Sequence, residues 1–512
     1  MTAPCSGQPV VHVTRNRSWK NWHESVDLPQ VAQQVDIWNG EPERVTVGCY
    51  NDTTAALQNL IGQALDQGIQ IRAAGGTWSF TPVAATAGML INTRFLNYIF
   101  RLTRHHVQPA FAQQVENLAF VQCGTSLAEL SGHFLARNPR KSLMTSGASN
   151  GQTIAGAMST GTHGSALDVG GIQDTVLGIH LVTGRDRHVW LERATAPVAS
   201  KWFLDLIGAE RRSDDALYNA ALVNLGSLGI VHGVMLRAAD MFYLKQYRRL
   251  FNDSPAIRAA LYSLQFDGDL PQPGVRPYFM QALFNPYSVK RDPYLTVMYR
   301  EPTRPSDCPP LPRAGSWRAG DGAAELVGRA TDMASDLTPA VVNALLPQML
   351  PKVDGACGTW ADTFWDTTTR GRAAATSIGV PIDRAEEVLE LLFELAPRHN
   401  PPALFALRYA LPTPATLGFT RHASHTCVVE ADGPLSDHMR DFHRAAWQEL
   451  AESGIPHTYH WGKMFPMDPV QVRAMYGSAI DRWAAARHSL LPTPELRRAF
   501  SNPMMQTLQL DQ

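Results

Sequence analysis

Two glycine-rich segments carry the first chemical signal. In Arg72-Ala-Ala-Gly-Gly-Thr-Trp-Ser-Phe80, adjacent glycines follow a run, Ile69 to Ala74, that reads as a strand. Such a turn can adopt positive φ and present successive backbone N–H groups to an anionic oxygen, typically phosphate. An ordinary strand-to-loop turn looks the same in sequence. The second segment, Met144 to Ser165, is dominated by Gly, Ser and Thr and is nearly uncharged. Small residues let backbone approach a ligand closely, and hydroxyls offer neutral hydrogen bonds to phosphate and ring oxygens. A flexible linker has similar composition. Here Ile154, Ala155, Ala157 and Met158 interrupt the polar run as buried residues do. No G-x-G-x-x-G opens a helix at the first turn and no P-loop is present, which argues against a Rossmann or P-loop nucleotide site.

A second group of residues could do acid–base or electrostatic work. Tyr459-His-Trp-Gly-Lys463 sets an imidazole and an ammonium close together, and Arg408 lies on a strand-like run. His422-x-x-His425 and His457-x-x-His460 have spacing that suits zinc, although solvent-facing or structural histidines are far commoner; the expectation is no metal.

Composition bounds what these groups can serve. The chain has 512 residues, 45% of them apolar and 18% charged, so it has material for a large core and is not disordered. Lys plus Arg number 45 against 46 Asp plus Glu, a net charge of −1, which speaks against nucleic acid as a partner. No apolar stretch approaches the ~18 residues of a membrane span. The first residues show no basic region followed by an apolar one, so no signal peptide is expected. The 6 cysteines form no C-x-x-C pair, and they are expected to be buried free thiols in a reducing, cytoplasmic compartment.

Those groups must be positioned by regular elements. Arg44 to Cys49 reads as a strand. Asp52 to Gln67 reads as a helix capped by Asp52, Thr53 or Thr54 and ended by Gly68. Leu118 to Gln122 is strand, Leu127 to Arg137 helix, and Thr175 to Thr183 and Ile230 to Arg237 are further strands. Beyond 240, proline-rich connections separate extended runs (Tyr294 to Tyr299, Ala403 to Tyr409, Thr426 to Glu430) from helices. One helix runs from Asp383 to Ala396 with a capping pattern Asp383-x-x-Glu386, and another from about Ser436 to Glu452. The division expected is a lead-in at 1–40, a first domain at 41–240, a second at 241–430 and a C-terminal segment at 431–512.

The two glycine segments, with Val121-Gln-Cys-Gly-Thr-Ser126, Asp174-Thr-Val-Leu-Gly178 and Leu225-Gly-Ser-Leu-Gly-Ile-Val231 between and after them, resemble the FAD-binding domain of the vanillyl-alcohol oxidase superfamily, also called the PCMH-type fold. Tyr459-His-Trp-Gly-Lys463 resembles the His-Trp-x-Lys signature of sugar-1,4-lactone and alditol oxidases. The resemblance implies an α+β architecture: a two-subdomain FAD-binding domain plus an antiparallel-sheet substrate domain with flanking helices. It also implies that Ala74, Gly75, Gly76, Thr77, Trp78 and Ser79 cradle the FAD pyrophosphate. Ser146, Gly147, Ala148, Ser149, Gln152 and Thr153 would continue the cradle. Gly156, Thr160, Gly161, Thr162, His163, Gly164 and Ser165 would run along the flavin and its ribityl chain, and Ile230 would meet adenine or ribose through its backbone.

Two positions depart from the family pattern. Many members attach the flavin covalently through a His at the position of Trp78; indole cannot form that bond, so FAD is expected to be held non-covalently. The family's Glu-x-Arg pair on a substrate-domain strand matches Ala406-Leu-Arg408, with Ala in place of Glu. A more apolar pocket is therefore expected, with Trp360, Phe364 and Trp365 contributing. The implied activity is an FAD-dependent oxidase that takes a hydride from a C–H next to oxygen of a small alcohol, sugar or lactone, with O2 as acceptor. Lys463 or Arg408 would stabilise the reduced flavin, and His460 or Tyr459 would accept the proton. Alternatives are a dehydrogenase, a tailoring oxidase on a more apolar substrate, and a flavin-binding protein without turnover.

Overall fold

The computed structural model describes residues 8–40, 45–311, 323–364 and 371–512. Arg44, Trp365 and Cys5 fall outside them. A four-stranded sheet begins with a hairpin, Val10–Lys20 against Asp27–Trp38. The second arm runs parallel to Met89–Phe95, which in turn pairs in parallel with Ile71–Ala74. The segment read as a lead-in is thus built into the same sheet as the glycine turn. The strand expected at 44–49 is not there. Thr46 caps a helix, Val47–Asp66, and its side chain accepts from the Cys49 N–H. That helix buries Leu57, Leu60, Ile61 and Ala64 on one face, and this packing outweighs the β preference of Val45-Thr-Val47.

A second sheet of six strands has at its centre Val176–Val182, Ile230–Arg237 and Leu118–Gln122, all antiparallel neighbours. The helix Leu127–Ala136 starts with a reciprocal cap between Ser126 and Glu129.

The third sheet has eight strands, in the order Val353–Gly358, Tyr243–Leu250, Tyr294–Glu301, Phe279–Phe284, Leu404–Ala410, Thr426–Pro434, Ala373–Pro381 and Thr458–Tyr459. Its named pairings are antiparallel. Helices Ala385–His399 and Asp437–Glu452 cover one face, where Phe405 stacks on Phe442 at 5.6 Å and meets Phe393 edge-on. Strand alternation therefore turns Ala406 and Arg408 to the opposite face. The Asp383 cap does not form: a 3-10 turn, Ile382–Arg384, leads into the helix, and Glu386 pairs with Arg258 instead.

Beyond Asp468 four helices return to the N-terminal half. Arg487 donates to the Ser227 carbonyl, Trp483 to that of Val223, and buried Arg72 to that of Phe500 at 3.2 Å.

The cysteines divide. Cys123 and Cys427 are free and buried, as expected. Cys308 and Cys357 form a disulfide across 49 residues, and Cys49 is also disulfide-bonded. A general free-thiol state is therefore corrected; sequence spacing alone could not reveal a pairing made by two distant segments.

Candidate active site

The two glycine segments are pressed against each other. A Cβ at position 75 would lie 2.0 Å from Thr153 Oγ1, and one at 76 would lie 2.6 Å from the Gly151 carbonyl oxygen. At 151 it would meet the Trp78 ring at 2.4 Å. The glycines are thus demanded by close approach. Positive φ belongs to Thr77 (57°), and not to Gly75 or Gly76. Thr153 caps the short helix Ile154–Thr160 and accepts from the Gly156 N–H; Gly161 ends it in the left-handed conformation.

Between these segments lies a cavity of about 370 Å³, within the range of cofactor clefts. Gly75, Gly76, Thr77, Trp78 and Ser79 line one side. Gly147, Ala148, Ser149, Gln152, Thr153, Gly156, Thr160, Thr162 and His163 line the other. A third, charged part of the wall comes from the eight-stranded sheet and the segment after it: Arg408, Glu430, Asp432, His460 and Lys463.

Other expected residues support the wall without forming it. Ala74 is buried, and its carbonyl accepts from Thr93. The Ser146 hydroxyl accepts from the Trp360 indole at 3.0 Å. Gly164 sits where a Cβ would be 2.6 Å from the Ser146 carbonyl oxygen, and Gly161 faces Phe419. Ser165 donates to the Met280 carbonyl and accepts from the Tyr409 N–H, joining the glycine segment to the third sheet. Gly229 and Val231 line the cavity on either side of Ile230, which does not. His460 lines the cavity and Tyr459 does not; the Tyr459 ring is buried and stacks on Phe465. Trp360 and Phe364 pack against each other and are absent from the wall.

The expected apolar character is not found at this end of the cavity, which is charged. Register places Glu430 directly across from Ala406 on the neighbouring strand. Glu430 Oε2 lies 2.9 Å from Arg408 Nε, and Oε1 accepts from Ser377 at 2.8 Å. The carboxylate missing from the Glu-x-Arg pattern is supplied by the adjacent strand. Asp432, one pleat along, sits 3.3 Å from Lys463 Nζ. Burial alone would raise the Glu430 pKa, but Arg408, Lys463 and His163 outweigh it and hold it below the usual range. Burial pushes Asp432 up to about 6, with Lys463 opposing. Burial drives His163 down to about 4 and His460 well below its ordinary value. His460 Nδ1 accepts from the Gly462 N–H at 2.8 Å, so the neutral ring carries its proton on Nε2. His422, His425 and His457 bond separately to Thr458, Leu167 and Ile455, and no metal-ligating cluster occurs among the described residues.

Two buried polar atoms on this wall, Gln152 Oε1 and Asp432 Oδ1, lack a hydrogen-bond partner among the described residues, whereas Arg408 Nε and Glu430 Oε2 satisfy each other as an ion pair. Their gathering in one cavity indicates polar ligands.

Residues 49–192 match the family described as FAD binding domain. L-gulono-1,4-lactone dehydrogenase of Mycobacterium tuberculosis is 24% identical over 462 residues, 89% of this chain and 95% of that protein. D-arabinono-1,4-lactone oxidase of Eremothecium gossypii is 24% identical over 48% of this chain and 39% of its own. Among solved structures, cholesterol oxidase from B. sterolicum superposes with a TM-score of 0.71 at 15% identity, covering 99% of both chains. Xylooligosaccharide oxidase from Myceliophthora thermophila C1 gives 0.58 at 14% identity over 96% of both. Residues 49–192 thus carry an FAD-binding domain, and the chain along its whole length has the PCMH-type fold of these oxidases. Its relatives by sequence are sugar-1,4-lactone oxidases and dehydrogenases.

The cavity fits FAD. Its glycine side admits backbone where any side chain would collide, and it offers hydroxyls of Thr77, Ser79 and Thr153 for the cofactor's phosphates.

Proposed function

We propose that the protein oxidises a hydroxyl-rich small molecule, a sugar, alditol or sugar lactone, with O2 as electron acceptor. The observation that carries this is the charged end of the cavity, Arg408, Glu430, Asp432 and Lys463, where Asp432 Oδ1 is buried without a hydrogen-bond partner among the described residues. An apolar alcohol would cover these charges without giving that oxygen a donor. Residues 41–240 hold the cofactor with the hairpin added to their sheet, 241–430 hold the substrate, and 431–512 return His460 and Lys463 to the site. Bound FAD supplies the acceptor for a hydride from the substrate carbon and passes the electrons on. Arg408 and Lys463 orient substrate oxygens and stabilise negative charge. Glu430 fixes Arg408. Asp432 Oδ1 accepts the hydroxyl proton, a role suited to a carboxylate titrating near neutrality. His460 donates from Nε2 and does not serve as the base, because a second proton on its buried ring is opposed by Lys463 and Arg408. Tyr459 faces the core and takes no part.

FAD is held non-covalently, since Trp78 occupies the attachment position; acid precipitation should leave the yellow colour in the supernatant. The disulfide argues for an oxidising compartment over the cytoplasm. The test of the reaction is anaerobic bleaching of the bound flavin by a panel of sugar lactones, alditols and sterols. Bleaching by sterols alone overturns the polar-substrate reading. A dehydrogenase is the second reading, favoured by the mycobacterial relative; reoxidation faster with a dye than with air would select it.

A further inference from the structure

The hairpin turn at 21–26 lies outside the matched family segment, yet Trp19, Asn21 and His23 line the cofactor cavity. The turn is closed on itself, with Asn21 N–H donating to the Val26 carbonyl at 3.2 Å and Val26 N–H to Asn21 Oδ1 at 2.9 Å. It is also fastened along the glycine turn. Trp22 N–H donates to the Thr77 carbonyl at 3.0 Å, Asn21 Nδ2 to that of Ser79 at 2.8 Å, and Ser25 Oγ to that of Phe80 at 3.0 Å. Trp22 stacks on Trp78 at 5.0 Å.

His23 reaches across to the other half of the molecule. Its ring lies flat on Phe80 at 4.4 Å, edge-on to Trp78 at 5.5 Å, and is hydrogen-bonded to the backbone of Gly371, just before the strand Ala373–Pro381 that forms the far wall. Only 6% of His23 is exposed, and among the described residues its Nδ1 has no partner. Burial pulls the ring down to about 4, so it is neutral at working pH. With Nε2–H given to Gly371, Nδ1 is a bare acceptor in a cavity wall, an arrangement that buried polar groups avoid unless a donor arrives. FAD has such N–H and O–H donors.

We propose that the hairpin turn is a clasp that retains FAD, bridging the cofactor-binding and substrate-binding halves, and that His23 Nδ1 accepts a hydrogen bond from the bound cofactor. This rests on the non-covalent reading, which the precipitation experiment tests by itself. The clasp is tested by diluting the purified holoprotein and following the rise of flavin fluorescence as FAD leaves. His23→Phe keeps the ring on Phe80 and removes the acceptor. FAD is expected to leave about tenfold faster from this variant, the worth of one buried hydrogen bond. Its melting temperature should fall without added FAD and match the wild type in saturating FAD. An unchanged release rate, or an equal drop in melting temperature with and without excess FAD, overturns the proposal. Should His23→Phe not fold, Ser25→Ala, which loosens the turn without touching the cavity wall, carries the same two readings with a smaller acceleration expected.

Discussion

The two ends of the cavity are built on opposite plans. The cofactor side consists of two runs, 75–79 and 147–163, that are nearly free of charge and whose glycines interlock. The charged end takes single side chains from two neighbouring strands, Leu404–Ala410 and Thr426–Pro434, and from the segment after Thr458–Tyr459. Backbone recognition needs small residues in an unbroken run. Side-chain recognition needs only register, because a cross-strand neighbour can stand in for a lost partner, as Glu430 does opposite Ala406.

This contrast can be broken from either side. The largest effect is expected at Arg408. Arg408→Met leaves Glu430 uncompensated in the interior and should cost about 3–5 kcal/mol in chemical unfolding, with much of the loss recovered in the double variant with Glu430→Gln. Folded Arg408→Met should still bind FAD, as measured by the ratio of flavin to protein absorbance; loss of FAD would show that the two ends are not separable. Next, Gly75→Val drives a side chain into Thr153 and should weaken FAD binding by about 1–3 kcal/mol, read by fluorescence titration.

A smaller effect concerns pH. The carboxylate form of Asp432 is lost as pH falls through about 6, so flavin reduction by substrate should drop about tenfold per pH unit below that point. In Asp432→Asn the acidic limb should vanish along with most of the rate; a retained limb assigns it to another group. The smallest effect is Tyr459→Phe. Its hydroxyl is buried, unpartnered and turned to the core, so turnover should be unchanged and stability equal or higher by up to about 1 kcal/mol. A large loss of turnover would return Tyr459 to the reaction.

How much could be read from the chain follows the same division. The glycine turn, the Met144–Ser165 segment and the strand Ile230–Arg237 are local patterns, and each was visible. Glu430 and Asp432 lie in a run read as a strand, but nothing local says which face of Thr426–Pro434 meets Arg408. The N-terminal hairpin hid because its first arm is mostly solvent-facing and has no buried alternation to detect. Val45 and Val47 are β-branched and favour a strand locally, and only the distant packing of Leu57 and Ile61 makes Val47 the start of a helix. The Cys308–Cys357 bond was invisible for the same reason: it is a fact of the folded chain, not of spacing.

The Phe500 carbonyl is shared by Arg72, the residue that leads into the glycine turn, and by Ser227; Asn502 holds the carbonyls of Val83 and Ala85 just beyond that turn. The glycine turn is thus braced by residues more than 400 positions further along the chain. A chain lacking residues 500–502 would keep every residue that lines the cavity and lose the supports behind its glycine turn.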